Sequence, residues 1–211
     1  MKNWLDKMER RFGRYTIRNL TMYLLAGYAI GYLLSFTMPQ LLTYFTLEPA
    51  LILKGQVWRL LSWVIIPPND NIIFVIFMML LYYSLGNTLE SYWGAFRYNV
   101  YIFSGILFTV IGAFIVNGLI GDITGFGSLY STYYINMSIF LACASIMPDY
   151  QLLLYGIIPI KMKWLAILDV VLLAVDAVQG GLIIRIVIIA SLLNFIIFFF
   201  CNRNLRGHSP K

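Results

Sequence analysis

Apolar residues run through this chain in long blocks, separated by short stretches where charged residues, Gly and Pro gather. A helix that is apolar on every side is a membrane span or a deeply buried element, and crossing a bilayer takes about 20 residues at 1.5 Å each. Six blocks qualify, at 20–38, 72–89, 98–119, 133–147, 164–178 and 182–201. The pattern predicts an all-α membrane protein, a bundle of six transmembrane helices. The fourth and fifth blocks are the shortest and carry Tyr, Asn, Ser and Asp. They suit the middle of a bundle, where such groups find protein partners instead of lipid.

The connection 39–71 departs from this pattern. It is too polar to cross and too apolar for a free loop, with Leu41, Leu42, Phe45, Leu51, Ile52 and Leu60 among its residues. Such a stretch fits a lipid-embedded first loop at the interface, with Trp58 and Trp63 anchored at headgroup depth. Arg59 reads in two ways there: a headgroup binder, or a buried donor that ties the loop to itself through several hydrogen bonds. Residues 1–19 are a basic segment with Trp4, Leu5, Met8 and Phe12 on one helical side, the pattern of an amphipathic helix lying on anionic lipid. Residues 202–211 form a basic tail, which leaves 20–201 as the membrane domain.

Composition removes other classes. Of 211 residues, 61% are hydrophobic and 11% charged, against about 25% charged in a soluble domain, so neither a soluble globule nor a disordered chain fits. One histidine, His208, and two cysteines, Cys143 and Cys201, are too few for a zinc cluster or a disulfide framework, and neither metal nor cofactor is expected. The net charge of +6 marks loops and contacts with anionic headgroups; nucleic acid is not an expected partner. With six spans, every Lys and Arg except Lys54, Arg59 and Arg185 falls on one side, and the positive-inside rule places both termini in the cytoplasm. No small-residue cleavage pattern follows the first block, so a cleaved signal peptide is not expected. A chain this compact, without long soluble regions, points to a bacterial plasma membrane.

Three pieces carry a resemblance. Gly55-Gln56-Val57-Trp58-Arg59 in the first loop, the run from Gly86 through Leu89, Glu90, Trp93 and Gly94 to Arg97 at the end of the second span, and Pro148 with Pro159 around the connection after the fourth lie in the order and spacing seen in the rhomboid superfamily. Together with the six-span topology, the chain resembles that superfamily over nearly its whole length. The motifs also have physical readings of their own. Gly86 and Gly94 permit close backbone approach, and Glu90 is placed to pair with Arg97 across the turn.

Active rhomboids are intramembrane serine proteases with a Ser–His dyad, and serine needs a general base within hydrogen-bond reach and donors aimed at the oxyanion. The resemblance places the nucleophile near Tyr133 or Tyr134, the base at Ser191 and the oxyanion donors at Phe74 and Met78, and none of these side chains can serve. Ser131 and Ser138 lie close to the expected nucleophile position, but His208 follows the sixth span, roughly 30 Å across the hydrocarbon from Ser131. The bulk of Tyr133, Tyr134, Phe74 and Met78 further implies a former cavity that is closed or reshaped.

Other polar residues add to the list of candidates. Asp169 lies within the fifth span, near enough to its start to reach water, Lys161 or Lys163, and otherwise a client contact or an ion-coupling group. Asp176 and Arg185 flank a turn and are expected to pair. Asn136, Ser138, Ser191 and Asn194 are candidates for hydrogen bonds between the fourth and sixth spans. Gly121, Gly125 and Gly127 lack the strand and the Lys-Ser/Thr pair of a phosphate loop.

What the resemblance implies is a catalytically inactive, derlin-like pseudoprotease, with a place in membrane-protein quality control. Its partners would be transmembrane client proteins, bound between the second and fifth spans without cleavage. Two other classes are a rhomboid-type serine protease whose site is assembled from other residues, and a small transporter or channel with Asp169 as coupling group. The last lacks an internal repeat and paired broken helices.

Overall fold

The computed structural model describes residues 4–67, 72–121, 124–125, 127–130, 132–154 and 158–201. Helix α1 (Trp4–Phe12) precedes α2 (Leu20–Thr37), whose end leads into a chain of short helices, α3 (Pro39–Phe45), α4 (Pro49–Leu53) and α5 (Arg59–Ser62), closed by a 3-10 turn at Trp63–Ile65. Pro39 and Pro49 open their helices at the first turn, where a missing N–H leaves no bond unmade. Then come α6 (Ile72–Trp93), α7 (Ala95–Ile120), α8 (Tyr133–Ile146), an antiparallel hairpin of β1 (Gln151–Leu154) and β2 (Ile158–Lys161), α9 (Met162–Gln179) and α10 (Leu182–Cys201). The chain is mostly helical, as expected of an all-α membrane protein, and the link between α8 and α9 adds one short hairpin in which two strands satisfy each other's backbone, with Leu153 opposite Pro159.

Four helices, α2, α6, α7 and, over Leu182–Phe199, α10, are long and apolar enough to cross a bilayer. Helix α8 has 14 residues, and the 18 residues of α9 include Lys163, Asp169 and Asp176. The two differ sharply in burial. Every residue of α8 from Ile135 to Ala144 is buried, so it runs through the centre of the bundle, in contact with α6, α7, α9 and α10. Only Met162 and Leu173 of α9 are buried, while Ile167, Leu168, Val170 and Val171 are more than half exposed. The fifth block is therefore peripheral, contrary to expectation, because an apolar surface can face lipid and needs no burial in protein.

Helices α7 and α10 form the most extensive pair. Trp93, Tyr101 and Phe198 pack their rings at centroid distances of 4.7–5.3 Å, and Asn194 Nδ2 donates to the Tyr101 carbonyl at 3.0 Å while Ser104 Oγ donates to Asn194 Oδ1 at 2.6 Å. Gly86 is where α6 meets α2 and α7. A Cβ there would overlap Thr21 and approach Tyr98 Oη to 2.8 Å, and the Thr21 and Tyr98 hydroxyls hydrogen-bond at 2.8 Å beside it. Gly94, with φ of +85°, alone joins α6 to α7 in a conformation that side chains disfavour.

In the first loop, Arg59 settles as the buried donor. Its Nη1 donates to the Thr43 and Thr46 carbonyls at 2.8 and 2.9 Å and to Thr46 Oγ1 at 3.1 Å, and its Nε donates to Gln56 Oε1 at 2.7 Å. Trp58 stays half exposed, with Nε1 donating to the Tyr44 carbonyl, but Trp63 is buried at 1% exposure and is a core residue rather than a headgroup anchor. Its neighbour Ile65 lies against Gly31 of α2, so this end of the loop is locked into the bundle. The other lock is Glu48, whose buried Oε1 accepts the backbone N–H groups of Gly125 and Gly127 at 3.0 and 2.9 Å.

Candidate functional site: the gap between α6 and α9

Helix α8 packs on both α6 and α9, while α6 otherwise packs on α2 and α7, and α9 on α10. Helices α6 and α9 thus flank α8 without being a closely packed pair themselves. The beginning of α8 carries Tyr133 and Tyr134, half-buried, with ring centroids 5.2 Å apart at 80°. The Asp169 carboxylate of α9 lies within electrostatic range of Tyr133 and of Tyr82 of α6, so the three residues share one neighbourhood. Met78, half-buried one turn before Tyr82, lies on the same side of α6.

Asp169 is deeper than the sequence suggested. Helix α9 begins at Met162, two turns or about 10 Å before it at 1.5 Å per residue. The lysines expected to reach it are engaged elsewhere: Lys163 and Lys161 donate to Asp149 Oδ1 at 3.0 and 3.3 Å, and together hold that exposed carboxyl below its ordinary pKa. Among the described residues, Asp169 has neither a hydrogen bond nor an ion pair.

The positions to which the rhomboid resemblance assigned catalytic groups come out as follows. Tyr133 and Tyr134 form the first turn of α8, and Ser191 belongs to α10. Phe74 is 45% exposed and so does not fill a closed cavity as expected. Ser131, the Ser191 side chain and His208 lie outside the described residues. Ser138 is buried and donates to the Ile135 carbonyl of its own helix, while Tyr101 donates to the Ser138 carbonyl.

Several pairings differ from expectation. Arg97 does not pair with Glu90; its Nη2 meets Asp6 at 2.7 Å and its Nε meets Glu9 at 3.2 Å, docking α1 on α7. Leu5 is fully buried by that docking, so α1 turns its apolar side partly onto the protein rather than wholly onto lipid; Trp4's side chain is outside the described residues. Glu90 Oε1 instead accepts the Asn19 backbone N–H at 2.8 Å. Arg185 donates to the Ala177 and Val178 carbonyls, capping α9, rather than to Asp176. Asn194 reaches α7, and Asn136 and Tyr28 of α2 contact each other at 3.3–3.4 Å, so neither bonds α8 to α10. The Lys163 N–H donates to the Pro148 carbonyl at 3.1 Å, closing the base of the hairpin.

Sequence reasoning missed three buried polar anchors: Glu48, Asn99 and Tyr28. Asn99 exchanges hydrogen bonds with the Ile17 backbone, N–H at 3.1 Å and carbonyl at 2.8 Å, fixing the approach to α2. The available signal was an acidic or amide group inside an apolar stretch, which needs a partner if buried.

A family model described as "Eukaryotic integral membrane protein (DUF1751)" matches residues 18–205. The chain belongs to this family. It is therefore an integral, multi-pass membrane protein, and the family's eukaryotic description corrects the expectation of a bacterial plasma membrane. Compactness was a poor guide, because a short chain is compatible with any membrane. No curated protein and no solved structure matches the chain.

Proposed function

We propose that this DUF1751 member is a rhomboid-like scaffold with six crossings and cytoplasmic termini, which binds transmembrane helices of client proteins between α6 and α9 and does not cleave them. The observation that carries the reading is the arrangement of α6, α8 and α9, with Tyr133 and Tyr134, to which the resemblance assigns the nucleophile's place, and Asp169, unpaired among the described residues, beside them. The two helices bordering the gap offer extensive apolar surface, and α8 is too short to span a bilayer alone. A client helix with polar or helix-breaking residues gains partners there that lipid cannot provide. Thinning of the bilayer around the short α8 favours such helices by fractions of a kcal/mol per Å of mismatch.

The test is photocrosslinking in native membranes from Met78 and Leu172, which share helix faces with Tyr82 and Asp169, and from Leu119 on α7 as control. Membrane proteins captured intact from the first two positions and not from the third support the reading. Equal capture from all three contradicts it. A fluorophosphonate label lost in Ser131→Ala or Ser138→Ala would favour the protease class. An ion flux abolished by Asp169→Asn would favour transport.

A further inference from the structure

Asp169 sits at the margin of the α9 face that packs on α8: one turn further on, Leu173 is buried against Leu141, with Tyr134 and Ala166 beside them. The rest of this stretch of α9 is apolar and open, with Ile167, Leu168, Val170 and Val171 more than half exposed. The Asp169 residue is only partly covered by protein, so its carboxylate is reachable from outside, and it lies within electrostatic range of Tyr82 of α6. Tyr82 is likewise partly covered, and its hydroxyl has no hydrogen-bond partner among the described residues. An acceptor on α9 and another on α6 thus flank the gap without a donor between them.

The chain brings no counter-charge to this place. Lys161 and Lys163 are held by Asp149, and Arg185 caps the far end of α9. Helices α2, α6 and α8 contain no Lys or Arg, and Arg97, Lys163 and Arg185 fall within the first four residues of α7, α9 and α10. A second copy of the chain therefore offers no cation at the depth of Asp169, about 10 Å inside α9 at 1.5 Å per residue. The partner that completes the pair is a different molecule.

Resting on the reading of the α6–α9 gap as a client site, we propose that the gap selects transmembrane helices that carry a basic residue, Lys or Arg, within their apolar span. The client's cation donates to the Asp169 carboxylate, and the Tyr82 hydroxyl accepts a second of its N–H groups. The apolar flank of the client helix lies against Ile167, Leu168, Val170 and Val171. A buried ion pair gains little where its charges must first leave water. Here both charges are already in the bilayer before they meet, each at a cost, and pairing relieves both. The long stem of a basic side chain gives it the reach to find a carboxylate on a neighbouring helix. An uncharged amide gains a weaker hydrogen bond, and an acidic residue is repelled.

The experiment places the full chain in phosphatidylcholine nanodiscs, whose lipid has no net charge, with labelled polyleucine helices that differ at one central residue: Lys, Arg, Gln, Glu or Leu. Binding is read as energy transfer to a fluorophore at Val178, an exposed position at the end of α9. The expected result is binding of the Lys and Arg helices about tenfold tighter than the Gln helix, the equivalent of one charge-assisted hydrogen bond, with the Glu helix weakest. In Asp169→Asn the Lys-to-Gln ratio falls to about one. In Asp169→Lys the order reverses, and the Glu helix binds tighter than the Lys helix. Lys and Gln helices of equal affinity in the wild type overturn the proposal, as does a Lys preference that persists in Asp169→Asn. A further helix with helix-breaking residues and no charge separates the two claims. If it binds above plain polyleucine while the Lys helix does not, the charge selection fails and the client site stands; if no helix binds above polyleucine, both fail.

Discussion

Arg59→Lys keeps the positive charge of the first loop and removes its geometry. The guanidinium serves four acceptors at 2.7–3.1 Å: the carbonyls of Thr43 and Thr46, Thr46 Oγ1 and Gln56 Oε1. These hold the end of α3, the turn after it and the start of α5 around one buried group. Burial pushes the Arg59 guanidinium below its ordinary pKa and the nearby Glu48 carboxylate opposes that, but an arginine starts high enough to stay charged at neutral pH. A lysine ammonium is a point donor on a different stem and cannot reach both ends of this set. Losing two charge-assisted bonds and leaving a buried carbonyl bare amounts to about 3–5 kcal/mol. At about 2–4 °C per kcal/mol for a chain of this size, Tm falls by roughly 6–20 °C. Tryptophan fluorescence during heating in detergent reads this, and limited proteolysis shows whether the 39–67 segment opens first. A lysine variant that melts within about 2 °C of wild type, with the loop equally protected, refutes the reasoning.

Three further outcomes follow from the packing. Gly86→Ala forces a Cβ into Thr21 and Tyr98, and overpacking of this kind is worth about 1–3 kcal/mol, read as a lower Tm and disrupted α2–α6 contact. Arg97→Ala frees α1: its pairs with Asp6 and Glu9 are partly exposed and worth at most about 1 kcal/mol each, so Tm changes little while proteolysis within residues 4–19 rises, as it should in wild type at high salt. The Asp149 carboxyl is held down first by its hydrogen bonds with Lys163 and Lys161, so this contact supports the hairpin above the unfolded value near pH 3.9 and is lost as pH falls through the lower folded value. An NMR titration of the Lys163 amide shows that acid-range step, and Asp149→Asn abolishes it.

The helices were legible because blocks that are apolar on every side and bounded by charged residues, Gly and Pro leave little other interpretation, and the observed elements begin and end within a few residues of the blocks. Gly86 and Gly94 were legible because a glycine between large residues signals close approach or a positive φ. Pairings were not. Arg97 lies seven positions after Glu90, an attractive partner in one dimension, yet the turn at Gly94 points it at α1, whose Asp6 and Glu9 are distant in sequence. The depth of Trp63 and the reach of Glu48 to Gly125 and Gly127 likewise depend on how the first loop folds back, which local pattern does not encode. The depth of Asp169 was misjudged because α9 starts at Met162, directly from the hairpin, two residues earlier than the apolar pattern indicates.

The account's central claim is recognition of a transmembrane helix in the α6–α9 gap without cleavage. The protein in nanodiscs, with a fluorophore near Leu172, is mixed with a labelled model helix bearing helix-breaking residues in its apolar core, and energy transfer and peptide mass are followed together. The account predicts transfer that an unlabelled copy of the helix competes away, and recovery of the peptide at its original mass. Transfer no greater than for a plain polyleucine helix, or recovery of cleaved peptide, contradicts it.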